Sequence, residues 1–154
     1  MDESEYRATY QAINERRCVF EKTISSRRST CSKSLRFQLA DREGVSCSSA
    51  TGNALCAELL GLMRRNARFA LHITHADGPL PHAREIRVQT GGLLGLQALV
   101  CPDRRDRDNV EDIITLVDIA LERYPSLEAL PFDSIVQRIV KFEARSKRGN
   151  RTGR

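Results

Sequence analysis

The chain has 154 residues, 40% apolar and 29% charged, a composition and length that fit one domain able to bury a core without staples. Its net charge of +5 is unevenly spread: residues 1–68 carry +4, residues 69–140 carry −4 and residues 141–154 carry +5. No apolar run approaches the roughly 18–20 residues that cross a bilayer, and the acidic start Met1-Asp2-Glu3-Ser4-Glu5 is the opposite of a secretory leader, so a cytoplasmic, reducing location is expected.

Residues 3–13 read as a helix, with Tyr6, Tyr10 and Ile13 on one face at spacings of four and three. That stripe can resume at Phe20 and Ile24, with Arg17 at its rim or a kink near Asn14. Ser25 to Ser32 reads as a loop, because short hydroxylated side chains compete with the backbone for hydrogen bonds. A short helix is expected over about 33–43, carrying Leu35 and Leu39, and then a small-residue loop from Val45 to Asn53. A strong helix follows over about 53–69, with Leu55, Leu59, Leu62, Met63 and Ala67 on its apolar face.

Residues 69–90 have two readings. Phe69, Leu71 and Ile73 alternate with their neighbours, and so do Arg84, Ile86 and Val88, which gives a small hairpin around a Gly/Pro loop. The rival is a helix that runs on to His72, followed by irregular chain. Gly91-Gly92 then opens a compact apolar helix, Leu93 to Val100, the glycines allowing a tight turn and close backbone approach and Thr90 serving as a cap. Asp108 and Glu111 carry a capping-box signature for the next helix, which buries Val110, Ile113, Ile114, Val117, Leu121 and Tyr124 and stops at Pro125. The last helix spans 132–145, with Phe132, Ile135, Val136, Ile139, Val140 and Phe142 inward.

The expected fold is mainly α. It is a single-domain bundle of five or six short helices, with one small β-hairpin near 69–90 in the first reading. Residues 1–145 make the domain, and 146–154 a basic tail without apolar residues that is expected to stay disordered.

Four of the five cysteines, Cys18, Cys31, Cys47 and Cys56, fall within 39 consecutive residues at spacing C-x12-C-x15-C-x8-C. Thiolates are soft ligands, and four of them enclose one Zn²⁺ or hold one iron–sulfur cluster. The absence of a close C-x2–4-C pair tilts the reading away from a zinc ribbon. Arg16, Arg17, Arg27, Arg28 and Lys33 would offset the charge of such a site. Against it stands the habit of cysteine to pack as a small hydrophobe, the reading preferred for Cys101 and open for Cys56.

His72, His75 and His82, at H-x2-H-x6-H, read mainly as solvent-facing, although one could complete a mixed Cys/His site. The tail offers Lys141, Arg145, Lys147, Arg148, Arg151 and Arg154 for phosphate contacts, but it lacks interleaved aromatics for base stacking. The leading expectation is a small intracellular interaction or regulatory protein without catalytic activity of its own. It would have a protein partner and carry a cysteine-ligated iron–sulfur cluster or zinc ion. The alternatives are a nucleic-acid-associated protein using its tail, and a small thiol or redox enzyme.

Overall fold

The first helix is set by its cap. Asp2 accepts the Glu5 amide at 2.7 Å while the Glu5 carboxylate takes the Asp2 amide, a capping box that starts α1 (Glu3–Ile13). The computed structural model describes residues 2–72, 78 and 80–143. After α1 come a short α2 (Glu21–Ser25) and an antiparallel hairpin of β1 (Ser34–Leu39) and β2 (Arg42–Cys47). Next are α3 (Ala50–Ala67), α4 (His82–Ile86), a π-helical turn (Arg87–Gly91) and α5 (Gly92–Val100). Then follow α6 (Ile113–Arg123) and α7 (Phe132–Lys141). Because α4, the π turn and α5 form one continuous rod, the described residues hold six helices and one hairpin, as a mainly α bundle requires.

The hairpin is the main departure from the sequence reading. It occupies 34–47, where a helix was expected, and not 69–90. Leu35 and Leu39 are four apart, as on a helix face, but Phe37 between them makes the same three residues a period-two strand face. Phe69 to His72 instead form a turn that prolongs α3, the Leu71 amide reaching the Ala67 carbonyl at 3.0 Å. Ile73 to Asp77 lie outside the described residues. Arg84, Ile86 and Val88 lie in the α4 rod, since alternation over three residues does not distinguish a strand from a buried helix.

The rod is the centre of the core. Leu93, Leu96 and Val100 are fully buried against Leu59, Met63, Ile135 and Ile139. Gly91-Gly92 makes no turn, and Thr90 is no cap; its hydroxyl donates to Thr23 Oγ1 at 2.9 Å inside the protein. Close approach is what the glycines supply, because a Cβ on Gly91 would stand 2.7 Å from Ile139 Cα and one on Gly95 3.0 Å from Ile135 Cα. The helix expected to start at Asp108 starts at Ile113, with Asp112 at the N-cap position, and Val110 instead bridges to Ser29. The last helix ends at Lys141, with Val140 exposed, not inward. No helix among the described residues is long and apolar enough to cross a membrane.

Candidate metal centre

The hairpin register brings the cysteine-bearing segments together. Ser34 pairs with Cys47, which sets the Cys31 loop beside the end of β2. The segment before α2 docks on the same strand: the Cys18 amide donates to the Val45 carbonyl at 3.0 Å and the Cys47 amide to the Arg16 carbonyl at 2.8 Å. Ser49 then caps α3, accepting the Gly52 amide at 2.9 Å, and the second turn of that helix carries Cys56. Cys47 thus closes a strand, where a loop was expected, and Cys56 sits one turn deeper in its helix than its expected first-turn position.

All four sulfur-bearing side chains line one small cavity of about 20 Å³, together with Phe20, Lys33, Ile113 and Ile114. Ionising any one of Cys18, Cys31 and Cys56 is opposed by negative charge on the cysteines around it, so these thiols resist losing their protons together. All four are free thiols and half-buried. They are not drawn in to chelating positions, since no group of three or more His, Cys, Asp or Glu side chains among the described residues is arranged to hold a metal ion. The thiols therefore face a shared space without closing on a point.

Two of the cysteines sit in the same local geometry. Cys18 and Cys31 each begin a turn whose i+3 amide returns to their carbonyl, Glu21 at 3.3 Å and Ser34 at 3.1 Å. In each, the amide two residues on, Phe20 for Cys18 and Lys33 for Cys31, offsets part of the rise that burial imposes on the thiol. The Ile114 amide in the first turn of α6 does the same for Cys31. The cavity thus lies between the N-terminal turns of α3 and α6, whose partial positive charge favours bound anionic sulfur. Burial pushes the Cys18 and Cys56 thiols up to about 12, and Cys31 rises for the same reason. Without a metal these groups stay protonated near neutral pH, so ligation has to displace their protons.

The remaining candidates do not assemble. Cys101 caps α5, half-buried against the core and away from the cavity. His72 lies in the turn after α3 and His82 opens α4, where its Nδ1 is 3.0 Å from Lys22 Nζ; His75 is outside the described residues. Lys141 is exposed at the end of α7, while Arg145, Lys147, Arg148, Arg151 and Arg154 lie outside the described residues. One residue of the site was missed in the sequence. Asp112 accepts from the Ser32 amide, next to Cys31, at 2.9 Å and from the Thr115 hydroxyl at 2.9 Å. Its signal was there: an aspartate directly before the apolar pair Ile113-Ile114.

Compared with models of known families, with curated proteins and with solved structures, the chain matches none.

Proposed function

We propose that this chain is a small interaction or regulatory protein, without catalytic activity of its own, built around a metal centre on Cys18, Cys31, Cys47 and Cys56. The observation that carries the reading is that four cysteines from four different segments line one cavity. Unrelated core cysteines have no reason to converge. The N-terminal turns of α3 and α6 that border the cavity supply surroundings that favour an anionic thiolate centre.

An iron–sulfur cluster is the first assignment. The C-x12-C-x15-C-x8-C spacing, which lacks the close pair usual in zinc ribbons, leans towards it. A cluster places several atoms between its thiolates, so binding it would have to widen the 20 Å³ cavity. When bound, it supplies either one-electron redox chemistry or a structural staple. Zinc is the second assignment and rests on the cavity, whose 20 Å³ suits a single ion without opening.

Anaerobic purification followed by iron, acid-labile sulfide and zinc analysis tests the proposal. A brown protein with equal iron and sulfide is expected, with Cys101→Ser retaining the centre and serine at any of the other four cysteines losing it. Stoichiometric zinc selects the second assignment. A colourless, metal-free chain that folds normally under chelator overturns both.

A further inference from the structure

The hairpin leaves one strand edge open. Val45 and Cys47 turn their backbone groups away from β1. The Val45 amide donates to the Glu21 carboxylate at 2.8 Å, the Val45 carbonyl accepts the Cys18 amide at 3.0 Å, and the Cys47 amide donates to the Arg16 carbonyl at 2.8 Å. Backbone groups alternate in direction along an antiparallel strand, so Arg42, Gly44 and Ser46 serve β1, where they pair with Leu39, Phe37 and Leu35. The amides and carbonyls of Arg36 and Gln38 therefore point outward. Among the described residues no third strand pairs with them.

This edge is weakly guarded. Edge strands are commonly blunted by a proline, a bulge or a charge held over the edge. β1 contains no proline, and it pairs with β2 residue for residue, without a bulge. Its single charge, Arg36, is drawn back to Glu43 of its own hairpin at 3.8 Å. Leu35 is 58% exposed beside the open edge. On the same face Phe37 is half-buried and packs against Tyr10, their ring centroids 5.7 Å apart.

We propose that β1 pairs antiparallel with β1 of a second copy of this chain, across a two-fold axis at Phe37, so that two hairpins make one four-stranded sheet. The strand is complementary to itself in that register. Leu35 stands opposite Leu39 of the second copy, Phe37 opposite Phe37, and Arg36 opposite Gln38, so apolar residues meet apolar residues and the cation meets a neutral amide. The outward groups of Arg36 then bond those of Gln38 in the other copy, twice over by symmetry. An axis at Arg36 would set two guanidinium groups opposite each other, which is destabilising. An axis at Leu35 or Gln38 pairs fewer residues of the strand. The pairing does not rest on the metal reading above.

Sedimentation equilibrium and an NMR dilution series of the full chain test the proposal. A single strand edge makes a weak dimer, with a dissociation constant expected at about 100 µM. Dilution through that range should shift the Arg36 and Gln38 amide resonances. Those of Leu35, Phe37 and Leu39, already bonded within the hairpin, should move far less. A mixture of isotope-labelled and unlabelled chains should give an interchain Hα–Hα contact at Phe37, the close pair of this register. Gln38→Pro removes an outward donor from each copy and no bond to β2, so it should weaken the dimer at least about tenfold. Gln38→Lys, which keeps the backbone donor and sets a second cation opposite Arg36, should weaken it severalfold even where the proline variant does not fold. Lys141→Gln, on α7, should change nothing. A chain that stays monomeric up to about 1 mM overturns the proposal. So does a dimer that is indifferent to the Gln38 variants, or one whose dilution shifts fall away from β1.

Discussion

The Asp112 carboxylate accepts the Ser32 amide, the residue after Cys31, at 2.9 Å while it occupies the N-cap position of α6. One side chain thereby ties a proposed ligand loop to a core helix. The tie is reinforced by backbone: the Thr30 amide reaches the Val110 carbonyl and the Ile113 amide reaches the Thr30 carbonyl, both at 3.0 Å. Asp112→Ala removes the acceptor for both the Ser32 amide and the Thr115 hydroxyl. It should cost about 1–2 kcal/mol in denaturant unfolding and lower the metal retained on isolation. Asp112→Asn keeps an acceptor and should recover most of the stability. Equal metal content in all three proteins would leave Asp112 a structural cap only.

Chelation should act on one half of the fold. A metal on the four cysteines would cross-link the α1–α2 connection, the loop before β1, the end of β2 and α3. In finger peptides, which have no other core, structural zinc supplies about 10–16 kcal/mol and removing it unfolds the chain. Here Leu93, Leu96, Ile135 and Ile139 are buried in an apolar core that the cysteines only border. Stripping the metal is therefore expected to raise hydrogen exchange at Val45, Cys47 and the β1 amides while the amides of α5 and α7 stay protected. Uniform loss of protection would place the centre in the folding core itself.

The sequence announced most helices, and of the convergence it offered only the clustering of four cysteines. The Tyr6–Tyr10–Ile13 stripe marked α1, and the apolar faces of α3 and α7 followed from their spacing. The hairpin was hidden because Leu35, Phe37 and Leu39 satisfy two periodicities at once, and tertiary pairing with β2 selects between them. That misreading also hid how the cysteines are brought together. They share one cavity because Ser34 pairs with Cys47 and Arg17 with Ser46, relationships of register that no spacing along the chain encodes. Asp112 was masked by a rival capping pattern four residues earlier, Asp108 with Glu111.

Glu85 should govern the acid limb of stability. Its side chain is 1% exposed and grips Arg64 through two hydrogen bonds, at 2.7 and 3.2 Å. Burial alone would raise the carboxyl. The hydrogen bonds from Arg64, Gln89 and the Leu80 amide outweigh it and hold the group below its ordinary 4.5. A depressed carboxyl stabilises the fold fully above the unfolded value and loses that contribution as pH falls through the folded one. Stability should thus drop below about pH 4.5, and Glu85→Gln should flatten that part of the profile. The same variant leaves Arg64 buried without its counter-charge and should lose about 3–5 kcal/mol at neutral pH. An unchanged acid limb in Glu85→Gln would assign the acid sensitivity to other carboxylates.

The glycines of the helical rod and of α3 should respond to alanine with opposite signs. A methyl on Gly91 would meet the Ile139 backbone at 2.7 Å and the Arg138 carbonyl oxygen at 3.1 Å, and backbone cannot step aside as a flexible side chain can. Gly91→Ala should separate α7 from the rod and cost about 3 kcal/mol, the upper range for overpacking. Gly61 lies inside α3, where an added methyl meets only the far end of the Arg65 side chain at 3.4 Å. There alanine removes backbone entropy from the unfolded chain without a clash, so Gly61→Ala should gain about 0.5–1 kcal/mol. Paired thermal melts of the two variants check both signs. A stable Gly91→Ala protein would mean that α7 is free to shift away from the π turn that ends at Gly91.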